Sequence, residues 1–196
     1  MSLEELIVKE LEESSRVKEA MARDPSLVAT IARVAKAIAE ALKRGNKLVI
    51  FGNGGSAADS QHIACELVGR FRAERRGLPA LSLATNTSCL TAIGNDYGFD
   101  VVFARQVEAV VRGGDVVIGI STSGRSRNVI EGVRAAKAMG ALTVGLTGSA
   151  GDPLCAEVDI CIKVPSTDTQ RIQEAHITIG HIIVGAVERE LFGGGG

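Results

Sequence analysis

Between Pro25 and Gly45 the apolar positions fall at Leu27, Ile31, Val34, Ala35, Ile38 and Leu42. Spacings of three and four put them on one stripe of an amphipathic helix. Pro25 near the start and Gly45 just past the end match the residue asymmetry of helix termini. A more polar helix precedes it, roughly Leu3 to Met21, with a narrow apolar seam at Leu3, Ile7 and Leu11. Such a pair can cover a sheet or meet another subunit, and the pattern alone does not choose. From Lys47 the pattern changes to short continuous apolar runs: Leu48–Phe51, Ala80–Ala84, Val116–Ser121, Leu142–Thr147 and Ile160–Val164. Continuous rather than alternating runs fit strands buried on both faces of a parallel sheet. Helical stretches fill the gaps at Ser56–Phe71, Thr87–Ile93, Val101–Val111, Ser126–Met139 and Thr169–Leu191. The alternation predicts an α/β fold: a doubly wound, five-stranded parallel sheet flanked by helices, with an N-terminal helical pair. Residues 1–192 read as one domain, with helices over 1–44 and the α/β core over 47–192, and 193–196 as a flexible tail.

Composition narrows the function classes. The chain has 196 residues, 22 Lys+Arg against 23 Asp+Glu, and a formal net charge of −1. That balance lacks the basic footprint of a nucleic-acid binder. Aromatics are 3% and Trp is absent, which leaves no stacking platform for bases. No run reaches the length of a membrane span, and the acidic Met1–Glu13 segment lacks the basic-then-apolar order of a signal peptide. Cys65, Cys89, Cys155 and Cys161 form no CxxC. They are expected to be reduced, mostly buried thiols of a cytoplasmic protein.

The unusual residues lie where strands end, which is where open α/β sheets bind ligands. The first strand runs into Gly52-Asn53-Gly54-Gly55-Ser56-Ala57-Ala58-Asp59. Gly52, Gly54 and Ala57 satisfy a GxGxxA dinucleotide pattern. The second strand, however, ends in Ala84-Thr85-Asn86 without the acid that would hold a ribose, so NAD is demoted. The loop still suits an anion at a helix N-terminus; the alternative is a tight turn capped by Ser56. The third strand ends in Ser121-Thr122-Ser123-Gly124-Arg125-Ser126. Four hydroxyls in six residues make a neutral cradle for a phosphate monoester, against the alternative of a polar turn with helix caps. No P-loop lysine is present, so a nucleoside triphosphate is not indicated.

Two helices carry all three histidines. His62 and Glu66 are four apart and share a face, which fits a surface ion pair, a general base or half of a zinc site. The last helix carries Arg171-Ile172-Gln173-Glu174-Ala175-His176 and then His181. Helical spacing aligns Glu174 with His181, Gln173 less well, and leaves His176 off the stripe as a packed histidine.

Together these segments resemble the sugar isomerase (SIS) domain family, and within it the phosphoheptose isomerases. The matching pieces are Gly52–Asp59, Gln61-His62 with Glu66, Gly94-Asn95-Asp96-Tyr97-Gly98, Ser121-Thr122-Ser123-Gly124-x-Ser126, Leu146-Thr147-Gly148, and Arg171–His176 with His181. The resemblance covers nearly the whole chain. It implies interconversion of sedoheptulose 7-phosphate and D-glycero-D-manno-heptose 7-phosphate, a first step towards bacterial surface heptoses. It also implies a homotetramer with active sites between subunits. By the same resemblance Ser121, Thr122, Ser123 and Ser126 hold the phosphate. Asn53, Gly54, Gly55, Asn95, Asp96 and Gln173 line the sugar site, with Glu66 as base and His181 as acid. Zinc, one ion per subunit, is implied on His62, Glu66, Gln173 and His181; here Gln173 replaces the Glu174 of the spacing argument.

Two features depart from the family pattern: Arg125 and Arg127 flank Ser126 where smaller residues are common, and Asn86 stands where relatives often carry Asp. The arginines are expected to strengthen anion binding. The alternative readings are a non-catalytic relative that binds the bacterial replication initiator DnaA, or a protein acting on another sugar phosphate. The former class lacks counterparts of Glu66 and His181.

Overall fold

The computed structural model describes residues 1–193. Its centre is a five-stranded parallel sheet in the order β2-β1-β3-β4-β5, formed by β1 (Leu48–Gly52), β2 (Ala80–Ser82), β3 (Val116–Ile120), β4 (Leu142–Gly148) and β5 (Ile160–Val164). The register runs Leu48↔Val116↔Leu142 across the three central strands. Every residue of β1 and β3 is buried. That two-sided burial explains why these runs are continuously apolar.

Alternate residues point to opposite layers. Leu48 and Ile50 join Val116, Ile118 and Ile120 against α2 (Pro25–Lys43), α3 (Gly55–Val68) and α8 (Thr169–Phe192). Val49, Phe51 and Val117 meet α5 (Val102–Val110) and α6 (Arg127–Ala138) on the other face. The Phe51 and Phe103 rings stack there with centroids 4.8 Å apart.

The N-terminal pair divides its work. Asp24 caps α2 by accepting from Ser26 and Leu27, and the α2 stripe is buried on the sheet. α1 (Leu3–Ala22) starts at a Ser2–Glu5 capping box and reaches the start of α8, where Glu10 and Arg171 pair at 2.6 Å. Its seam does not close: Leu3, Ile7 and Leu11 are 69%, 51% and 66% exposed.

Several expectations need correction. α3 stops at Val68 rather than Phe71, because Gly69 ends it and residues 70–79 return across the end of the helix. α4 (Thr87–Tyr97) runs past Ile93, with Asn86 as its N-cap accepting from the Cys89 N–H. A four-residue helix, α7 (Asp152–Cys155), follows β4 and is too short to show a period. Its last residue lies 5.2 Å (Cα–Cα) from Cys161, and the two cysteines are joined as a disulfide. The expectation of four reduced thiols is therefore overturned for Cys155 and Cys161, while Cys65 and Cys89 are free; the expected burial also fails, since Cys65 is exposed and Cys89 half-buried. Of the expected flexible tail, Gly193 closes α8 by donating to Arg189, and residues 194–196 lie outside the described residues. Among the described residues no helix is long and apolar enough to cross a membrane.

Candidate active site

β1 and β3 are neighbours, but the chain leaves β1 for the edge strand β2 before returning to β3. This is a topological switch point, where the loops after two adjacent strands part and leave a crevice. The loops that part here are Gly52–Gly55 and Ser121–Ser126. A reciprocal amide pair joins them: Asn53 Nδ2 donates to Asn128 Oδ1 at 2.8 Å and Asn128 Nδ2 returns to Asn53 Oδ1 at 2.9 Å. Asn128 is buried and holds Asn53 at the crevice. Sequence reasoning missed it; its place two residues beyond Ser126 was the available signal.

Gly54, at φ 55°, is the N-cap of α3 and makes no side-chain cap bond. Ser56 sits buried inside the first turn, so the capped-turn alternative does not apply. The Gln173 amide lies directly against Gly55, where a Cβ would come within 2.6 Å of Nε2. Gln173, rather than Glu174, thus faces the glycine loop. Glu174 is taken up by Arg171 at 2.9 Å and Lys18 at 3.9 Å.

In the second loop the Ser121 hydroxyl donates to Ser126 at 2.9 Å, and the Ser126 side chain does not cap α6. The hydroxyls therefore face one another across the loop rather than the helix end. Gly124 permits this tight path at φ +65°; a Cβ there would lie 2.4 Å from Gly151 Cα. A cavity of about 160 Å³ opens beside it, lined by Thr122, Ser123, Arg125, Ser166, Thr167 and Thr169. Arg125 thus brings one positive charge to a hydroxyl-lined recess. Arg127, expected to do the same, is instead engaged with Asp100 at 3.4 Å.

α3 and α8 bring three donors together. His62 Nε2 lies 2.9 Å from His181 Nε2 and 3.3 Å from Glu66 Oε1. One ligand atom from each falls within 4.8 Å of the others. Two imidazoles and a carboxylate are a donor set found at catalytic zinc centres, so the residues present fit such an ion. The Phe71 ring stacks on the His181 imidazole, with centroids 5.7 Å apart and planes 12° apart. Gln173 precedes His181 by eight residues on the same helix, about 12 Å along its axis.

Two further groups escaped sequence reasoning. Asp59, one turn before His62, is half-buried with Oδ2 unpartnered; burial pushes its carboxyl up to about 6, opposed by the charge of His62. Glu188, on α8, accepts four hydrogen bonds from residues 71–75. Asn95 and Asp96 lie on α4, exposed and bonded to each other at 2.8 Å. Among the described residues no hydrogen bond or ion pair links them to His62, Glu66 or His181. α4 buries none of its own residues. His176 is fully enclosed in the core, as its place off the stripe anticipated.

Comparison with known proteins converges on one family. A family model described as SIS domain matches residues 11–148. The phosphoheptose isomerase of Geobacter sulfurreducens is 55% identical over 186 residues, covering 95% of this chain and 97% of that protein. The solved phosphoheptose isomerase of Neisseria gonorrhoeae superposes with a TM-score of 0.90 at 42% identity, covering 95% of this chain and 99% of the other. That of Francisella tularensis does so with a TM-score of 0.91 at 34% identity, covering 96% and 100%. The chain belongs to the SIS domain family, among the phosphoheptose isomerases.

Proposed function

We propose that this chain is an aldose–ketose isomerase interconverting sedoheptulose 7-phosphate and D-glycero-D-manno-heptose 7-phosphate. The observation that carries the reading is the convergence of Glu66 and His181 from two different helices, α3 and α8, the second of which also packs Gln173 on the glycine loop at the switch point. Ser121, Thr122, Ser123 and Ser126 take the phosphate, with Arg125 adding charge at the rim. Asn53, Gly54, Gly55 and Gln173 receive the sugar chain between that recess and the imidazole.

The reaction moves a proton between C1 and C2 through an enediol. Glu66 removes the proton from one carbon and returns it to the other, so one carboxylate serves both half-reactions. His181 holds the proton exchanged with the neighbouring oxygen and helps open the sugar ring. His62 has no proton to move in this scheme and orients its two neighbours.

Zinc, one ion per subunit, is assigned to His62, Glu66, His181 and Gln173, and when bound it polarises the sugar oxygens. An ion held there binds the folded chain and not the unfolded one, so chelator-stripped protein is expected to melt lower and to regain its Tm on titration with zinc. An unchanged Tm across the titration removes zinc and leaves the isomerase reading standing.

We further assign a homotetramer in the cytoplasm, with active sites between subunits. The bare seam of α1 and the largely exposed α4, which carries Asn95 and Asp96 and packs on the core through Leu90 and Ile93, support an interface at those surfaces. The decisive measurement is turnover of sedoheptulose 7-phosphate by the native chain. Turnover is expected; none, together with tight binding to the replication initiator DnaA, would replace this reading with the non-catalytic one.

A further inference from the structure

Glu188 lies seven residues beyond His181 on α8, two turns along and on nearly the same face. Its side chain is 4% exposed, and its partner Arg75 is 1% exposed. The Glu188 carboxylate accepts from the backbone N–H groups of Phe71, Arg72 and Ala73 at 3.1, 2.9 and 3.2 Å, and from Arg75 Nε at 2.9 Å. Arg75 then spends its remaining nitrogens on carbonyls: Glu66 at 2.8 Å, Leu67 at 2.7 Å, Gly69 at 2.8 Å and Arg76 at 3.1 Å. Glu66, Leu67 and Gly69 are at the end of α3, where a helix leaves carbonyls without partners and favours a cation.

One buried pair therefore ties two things together. Through Arg75 it holds the last turn of α3, which carries Glu66. Through the 71–73 backbone it holds the Phe71 ring, which lies flat on His181. Gly185 leaves room for that ring: a Cβ there would stand 3.3 Å from Phe71 Cε1. A buried ion pair is a weak source of net stability, because desolvation offsets its attraction. Here both partners direct their hydrogen bonds to the segments that place Glu66 and the face of His181.

We propose that the Arg75–Glu188 pair is a positioning device for the isomerase reaction, setting the separation and orientation of Glu66 and His181 through the end of α3 and the Phe71 ring. The proposal rests on the roles given to Glu66 and His181 above.

Two variants test it. Glu188→Gln keeps the shape but removes one acceptor oxygen, so two of the four donors lose their partner. Phe71→Leu removes only the ring face over His181 and leaves the ion pair in place. Two readouts are taken: steady-state kinetics with sedoheptulose 7-phosphate, and the NOE between the imidazole protons of His62 and His181 in protein free of substrate and metal. In both variants kcat is expected to fall about ten- to a hundredfold, the usual effect of misplacing reacting groups by a fraction of an ångström to an ångström. KM should stay within about threefold, since the Ser121–Ser126 recess is untouched. The NOE should weaken in both, and Phe71→Tyr should restore kcat and the NOE. Folded variants that keep wild-type kcat and the wild-type NOE, with only Tm lowered, overturn the proposal and leave a structural ion pair. If Glu188→Gln does not fold, Phe71→Leu decides alone. If the wild-type chain fails to turn over the substrate, the proposed reaction falls, and the NOE comparison still decides whether the pair positions the imidazoles.

Discussion

Glu66→Gln is expected to lower kcat for sedoheptulose 7-phosphate by about 10²–10⁴-fold, equivalent to roughly 3–5 kcal/mol of transition-state stabilisation. An amide keeps the shape and one acceptor oxygen of the carboxylate but cannot take a proton from C1 or C2. The glutamate is half-buried at the end of α3, and its backbone carbonyl is held by Arg75 at 2.8 Å, so the substitution removes basicity without freeing the chain. Most of the substrate contacts proposed above lie elsewhere, in the hydroxyls after β3 and the glycine loop after β1. Calorimetric titration with sedoheptulose 7-phosphate should therefore give a Kd within a few-fold of wild type. The paired measurements separate the two roles given to Glu66. Loss of turnover with retained binding marks a proton carrier. Loss of both marks a group that mainly builds the site, through the metal or otherwise. Turnover within tenfold of wild type would end the assignment of Glu66 as base and, with it, the single-carboxylate scheme.

How much of this was legible in the chain depends on how local each cause is. The central strands were readable because Leu48–Phe51 and Val116–Ile120 are buried on both faces, and two-sided burial leaves a continuous apolar run. α2 was readable because one stripe faces the sheet and its ends carry Pro25 and Gly45. The two loops at the switch point were visible because each places glycine or hydroxyl residues directly after a strand. What escaped was set by residues far apart in the chain. Gly69 ends α3, but the chain beyond it is held by Arg75 and by Glu188, which lies 113 residues beyond Arg75. Asn128 owes its role to Asn53, 75 positions earlier. The choice between Gln173 and Glu174 was misjudged by spacing alone, since Arg171 and Lys18 draw Glu174 away while Gln173 packs on Gly55. The Cys155–Cys161 disulfide depends on a short helix that has no period to read. Asn95 and Asp96, named through the family resemblance, have no hydrogen-bond or ion-pair partner in the cluster among the described residues of one chain. That is the pattern expected if a neighbouring subunit completes the site.

The same dependence on distant burial gives His176 a measurable signature in acid. Its side chain is fully enclosed, neither ring nitrogen has a hydrogen-bond partner, and burial pushes its pKa down to about 4 from an ordinary 6.5. The Thr147 backbone beside the ring opposes that shift but does not outweigh burial. A depressed imidazole means the unfolded chain takes up a proton below pH 6.5 while the folded chain does not. Its contribution is thus fully present above pH 6.5 and is lost as pH falls towards 4. Down to pH 4.5 the loss is about 2–3 kcal/mol. Asp59 acts in the opposite sense: its raised pKa lets the folded chain bind a proton first as pH falls through 6, so the wild-type profile is flattened. Glu188, Asp115 and Asp159, held below the usual carboxylate range, add their own losses only at lower pH. The comparison that isolates His176 is urea unfolding of wild type and His176→Leu at pH 7 and pH 4.5, at one fixed protomer concentration. Leucine nearly matches the volume and buries no unpartnered nitrogen, so at pH 7 the variant should be as stable as wild type or slightly more so. At pH 4.5 its advantage should widen by about 2–3 kcal/mol. An advantage that stays constant between the two pH values would mean that His176 protonates as readily inside the fold as outside it, and that the core beside α8 is open to water.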